Sequence, residues 1–147
     1  MPLLRRRLVY LLAFGVWASG GLWLIYHYFM TTPDDFGFEA PHRLEKWWLI
    51  LHAALAVWST WMFGNLWINH IKLGWRVKAR WISGGCLFLM VAWLIVSGFL
   101  LYYVGDPALR GLVSKTHWIP GLTALALFVA HLIGTWLGSR KMQTVDS

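Results

Sequence analysis

Cysteine is nearly absent from this chain. Cys86 is the only one among 147 residues, so no internal disulfide can form, and its place among apolar residues reads as an inert packing position. Charge is scarce too: Asp, Glu, Lys and Arg make up 13%, where a soluble domain carries about a quarter. Acids are the scarcest, six against thirteen Lys and Arg. Five of them, Asp34, Asp35, Glu39, Glu45 and Asp106, lie between apolar runs, and the sixth is in the tail. No Asp or Glu interrupts an apolar run, which argues against a transporter built on a proton relay. The formal charge of +7 does not imply nucleic acid as a partner. The basic residues flank apolar runs, where they set topology and meet anionic membrane lipid.

What the chain has in quantity is hydrocarbon. It is 59% hydrophobic, with twelve Trp and eight Phe, the composition of a membrane-embedded body with aromatic belts at its interfaces. Trp47, Trp48, Trp67, Trp75, Trp81 and Trp118 fall near the predicted interfaces and read as belt anchors. Arg5, Arg6 and Arg7 ahead of an apolar run resemble the start of a signal peptide, with a twin-arginine signal as the rarer reading. The run continues to about Phe29, longer than a cleaved h-region, and no A-x-A site closes it. It is therefore read as a retained first span.

Four spans are predicted, at about 8–29, 47–71, 81–104 and 117–137. A polar, turn-rich loop from Thr31 to Arg43, a basic loop with Lys72, Arg76, Lys78 and Arg80, and a break at Gly105-Asp106-Pro107 with a loop carrying Arg110 and Lys115 separate them. The prediction is one all-α integral membrane domain, a four-transmembrane-helix bundle. Arg5, Arg6, Arg7, Arg140 and Lys141 share one side with the basic loop, while Arg43, Lys46, Arg110 and Lys115 lie on the other. The positive-inside rule then puts both termini in the cytoplasm.

Four histidines stand inside this hydrocarbon: His52 and His70 on the second span, His117 and His131 on the fourth. Ionisable side chains within a membrane are costly and mark functional sites. The second and fourth spans run in the same direction, so His52 and His117 fall toward the outer face, and His70 and His131 toward the inner. At about 1.5 Å per residue the two gaps are ~27 and ~21 Å. Eighteen residues make five α-helical turns, which would put His52 and His70 on one face. Small residues accompany each histidine at helical spacing: Ala56 and Ser59 after His52, Gly121 and Ala124 after His117, and Gly134 after His131. On the third span Ser83-Gly84 recurs as Ser97-Gly98, at the two depths of the histidines. His27, at the outer end of the first span, is an alternative to His52 or His117, and His42 reads as a surface or substrate-site residue.

Zinc and copper sites gather three or four ligands at one point. Here imidazoles come two per level with no cysteine, carboxylate or methionine cluster beside them. Two imidazoles on opposite faces of one iron porphyrin make a six-coordinate centre suited to electron transfer. The missing C-x-x-C-H motif excludes covalent c-type attachment. Packing histidines in a structural anchor subunit of a larger complex are the competing reading.

With these residues in place, the chain from about Leu8 to Arg140 resembles small bacterial four-helix b-type cytochromes. These are the cytochrome b561-like proteins and the cytochrome b subunits of respiratory formate dehydrogenases and hydrogenases. The fourteen-residue spacing from His117 to His131 is the most specific feature. His42-Arg43-Leu44-Glu45 with Trp48 and His52, and Ser97-Gly98-Phe99-Leu100-Leu101-Tyr102-Tyr103, are similar to a subgroup known only as a domain of unknown function. The resemblance implies two non-covalent haems b in a bacterial inner membrane, and electron exchange with quinone. A periplasmic cytochrome c or other redox subunit is the expected partner. The predicted cofactor-binding residues are His52, His70, His117, His131, Ser59, Gly84, Gly98 and Gly121, with Arg43 and Arg76 as candidates for the haem propionates. Lys46, Arg110 and Lys115 are further candidates on the outer side, and Lys72, Lys78 and Arg80 on the inner. In better-known members a first-helix histidine is a ligand, and this chain has only His27 there.

Overall fold

The computed structural model describes residues 2–33, 38–78 and 81–143. Four helices are long and apolar enough to cross a membrane: α1 (Leu3–Phe29), α2 (Arg43–Leu66), α4 (Trp81–Tyr103) and α5 (Pro107–Gln143). A π turn (Trp67–Ile71) and the short α3 (Lys72–Arg76) lie between α2 and α4. In hydrocarbon every backbone N–H and C=O must be paired within the protein, which makes helices the default for such runs. The chain falls into two compact units, Met1–Gly64 and Asn65–Ser147.

In the first unit a two-stranded antiparallel hairpin, β1 (Thr31–Pro33) and β2 (Glu39–Pro41), pairs Thr32 with Ala40 and replaces the predicted plain loop. The helix after it starts at Arg43, four residues before the predicted Trp47. His42 explains the early start: its Nδ1 accepts the Leu44 N–H at 3.1 Å and its carbonyl accepts the Glu45 N–H at 2.9 Å, which pairs donors that helix starts leave unsatisfied. Glu45, in the first turn, also suits the positive end of the helix dipole. Gly15 of α1 sits against α2, where an added Cβ would come within 3.3 Å of Leu55 Cδ1.

The second unit is built on α4 and α5. The Gly105-Asp106-Pro107 break proves to be a helix start, not the beginning of a loop: Asp106 Oδ1 accepts the Leu109 N–H at 2.7 Å, with Pro107 at the first helical position where its missing N–H costs nothing. The segment carrying Arg110 and Lys115 is therefore helical. The predicted second span also ends sooner than its hydropathy implies, because α2 gives way to the π turn at Trp67. The basic segment after it continues as α3, and Lys78, two residues past its end, has φ 52°. Trp67 and Trp75 both pack on Phe88 of α4, at 5.4 and 5.5 Å between ring centres.

Pro120 lies inside α5. Its missing N–H is the one that would bond the Thr116 carbonyl. That carbonyl instead accepts the indole N–H of Trp93, on α4, at 2.8 Å.

The most shielded side chains are not large hydrocarbons. Ser19 is 2% exposed and Ser97 0%, against 6% for Met62, the only buried hydrophobic residue among those described. Leu, Phe, Trp and Ile side chains point outward along all four long helices, as lipid-facing surfaces do. Cys86, predicted to pack, is exposed among them.

Candidate functional site

Each of three membrane-embedded histidines is seated on a Ser-Gly pair of a neighbouring helix. On α2 the His52 Nδ1 lies 2.9 Å from the Val16 carbonyl and 3.3 Å from Ser19 Oγ. A carbonyl only accepts, so Nδ1 carries the proton. Ser19 Oγ in turn donates to the Gly15 carbonyl at 2.8 Å. Gly20, the next residue, leaves room for the ring: a Cβ there would stand 2.9 Å from His52 Cε1.

The same arrangement holds His117 in the second unit. Ser97 Oγ lies 2.9 Å from His117 Nδ1 and donates to the Trp93 carbonyl at 2.7 Å. With its single proton directed at that carbonyl, the serine accepts the Nδ1–H of His117. A Cβ at Gly98 would come within 3.2 Å of His117 Cε1. At His131 the pair is Ser83 and Gly84, with Ser83 Oγ 3.1 Å from Nδ1 and a Gly84 Cβ 3.6 Å from Cε1. An imidazole anchored through Nδ1 in this way has its orientation and tautomer set and ligates a metal through Nε2.

His70 is placed differently. It lies on the π turn, a helix irregularity that recurs at functional sites, and the five-turn count from His52 assumes an α-helix that this turn interrupts. Its ring stands 6.4 Å from that of His131, at 87°. Two imidazoles held on opposite sides of one metal ion by bonds of about 2.0 Å have ring centres about 6 Å apart. Among the described residues no three His, Cys, Asp or Glu side chains converge on one point.

The remaining predicted residues fall into two groups. Ser59 Oγ is buried with no hydrogen-bond partner among the described residues, as are the indole nitrogens of Trp48 and Trp118. Those two tryptophans thus differ from belt anchors, whose N–H reaches water. Gly121 faces Leu94, with 3.7 Å from a built Cβ to Leu94 Cδ2. Arg43 and Arg76 are exposed, and Arg80 lies outside the described residues. His27 bonds Glu45 Oε1 through Nδ1 at 2.7 Å and stacks on Trp23 at 4.7 Å. That contact ties the C-terminal end of α1 to the start of α2. His42 serves the start of α2.

Sequence reasoning missed Ser19 and Gly20. Their signal is present, since Ser19-Gly20-Gly21 repeats as Ser83-Gly84-Gly85. The Pro120–Trp93 relation was missed as well, because the partners are distant in sequence. No family model, curated protein or solved structure matches the chain.

Proposed function

We propose that the chain is a dihaem b-type cytochrome of a bacterial inner membrane, a four-helix bundle with both termini cytoplasmic. His52 and His117 ligate the outer haem, and His70 and His131 the inner. The observation that carries this reading is the seating of His52, His117 and His131 through Nδ1 on a serine beside a glycine. Metal-ligating histidines characteristically bond an outer partner through the nitrogen that does not ligate, which fixes their tautomer and orientation. His52 and His117 share this seating, each within its own unit, and the sequence predicts the same depth for both.

The residues present fit a porphyrin carrying carboxylates. Glycines stand where a Cβ would crowd the imidazoles. The buried, unpaired indole N–H groups of Trp48 and Trp118, near His52 and His117 in sequence, are donors that a carboxylate would satisfy. Arg43 and Lys46 on the outer side, and Lys72 and Arg76 on the inner, add positive charge near the ends of α2 and α3.

When bound between two imidazoles, haem supplies one-electron redox chemistry with no open coordination position. The chain's part is to hold the rings, exclude water and set the local charge that tunes the potential. In this reading one haem level faces a periplasmic redox partner and the other faces quinone or the cytoplasmic side, in keeping with the distribution of basic residues.

A reduced-minus-oxidised visible spectrum of purified protein tests the reading, together with a haem-to-protein ratio by pyridine haemochrome. A sharp α-band and two haems per chain are expected. His131→Ala is expected to remove one haem of the two. A protein with no α-band ends the proposal and leaves the anchor-subunit reading standing.

A further inference from the structure

We infer that Trp93 is a positioning residue for His117: its indole N–H takes the place of the backbone donor that Pro120 removes, and so ties the turn of α5 carrying His117 to α4. The inference rests on the haem reading for the role of His117 and goes beyond it in naming what holds that ligand.

Three hydrogen bonds form a closed path between the two helices. Trp93 Nε1–H donates to the Thr116 carbonyl at 2.8 Å. The next residue, His117, meets Ser97 Oγ at 2.9 Å, and Ser97 Oγ–H returns to the Trp93 carbonyl at 2.7 Å. Trp93 and Ser97 are four residues apart and share a face of α4, so one face grips two successive residues of α5. In an uninterrupted helix the Thr116 carbonyl would be spent on residue 120. Pro120 removes that donor and turns an intrahelical bond into one between helices. The Thr116 hydroxyl cannot substitute, because it donates to the Val113 carbonyl at 3.0 Å.

The orientation of the indole points the same way. Trp93 is 46% exposed on a span-forming helix, yet its N–H is turned inward to α5. An interfacial tryptophan does the reverse, with its ring in lipid and its N–H toward water. A bare carbonyl in hydrocarbon is unfavourable, so both helices have reason to keep this contact.

The test uses the full chain purified from membranes, as wild type, Trp93→Phe, Pro120→Ala and the double variant. Thermal unfolding reads stability. The exchange rate of the His117 Nδ1 proton, by ¹⁵N NMR of the reduced or haem-free chain, reads its seating. A redox titration reads the haems. Trp93→Phe is expected to lower the unfolding temperature, speed exchange at His117 and shift one of two redox components, leaving the other in place. In the double variant the residue 120 N–H can again pair the Thr116 carbonyl, so stability returns while the His117 exchange rate stays fast. An unchanged His117 in Trp93→Phe, or its full return in the double variant, overturns the inference and leaves Trp93 a partner for a carbonyl only. If Trp93→Phe does not fold, the double variant alone decides. If the wild type holds no haem, the cytochrome reading falls and the NMR comparison still decides this one.

Discussion

Ser97 accepts a hydrogen bond from the Nδ1–H of His117 across 2.9 Å, while its own proton is committed to the Trp93 carbonyl. His52 is held by a carbonyl at 2.9 Å with Ser19 as the longer contact. The two serines therefore matter unequally. Ser97→Ala removes the hydroxyl that accepts the His117 Nδ1–H and is expected to cost about 1–3 kcal/mol. Ser19→Ala leaves the Val16 carbonyl in place and costs under about 1 kcal/mol by the same reasoning. Unfolding of both variants in the same detergent checks the order.

The three seating glycines give a ranked series. A methyl group at Gly20 would stand 2.9 Å from the His52 ring, at Gly98 3.2 Å from that of His117, and at Gly84 3.6 Å from that of His131. Overpacking of this kind costs about 1–3 kcal/mol. Gly20→Ala is expected to do the most damage, Gly98→Ala less, and Gly84→Ala close to none, read as haem retained per protein and as unfolding temperature.

Trp48 and Trp118 predict a reversal of sign. Each buries an indole N–H with no partner among the described residues, a defect of about 1–3 kcal/mol. Phenylalanine at either position removes the defect and stabilises the haem-free chain. If those donors serve the carboxylates of a bound porphyrin, the same change weakens haem retention. Parallel unfolding and haem-titration curves for each variant reveal whether the two effects oppose.

Lys78, two residues past the end of α3, has φ 52°, a conformation that costs a side-chain-bearing residue about 1–2 kcal/mol and glycine almost nothing. Lys78→Gly is expected to raise stability by about 1 kcal/mol, with the visible spectrum unchanged.

The long helices were legible because a bilayer crossing requires long apolar runs, and the Ser-Gly repeat of α4 was legible at the depths where the structure seats His117 and His131 on it. What escaped depends on a single atom or on partners far apart in the chain. Asp106-Pro107 has the composition of a turn and acts as a cap because the Asp106 carboxylate finds the Leu109 N–H. His27 was legible as a ligand candidate by depth alone, and its Nδ1 contact with the Glu45 carboxylate, eighteen residues on, was not. The π turn at Trp67 has no composition of its own to announce it, and an aromatic cluster with Phe88 supports it only once α4 is in place.

That the two best-shielded side chains among the described residues are hydroxyl-bearing and small inverts the usual map of mutational sensitivity. Outward-facing leucines and phenylalanines are interchangeable with other oils, since acyl chains make no demand on their shape. Innocuous-looking exchanges, a serine for alanine or a glycine for alanine, reach the imidazoles directly. Random mutagenesis of this chain should thus find its intolerant positions among the lightest residues rather than the bulkiest.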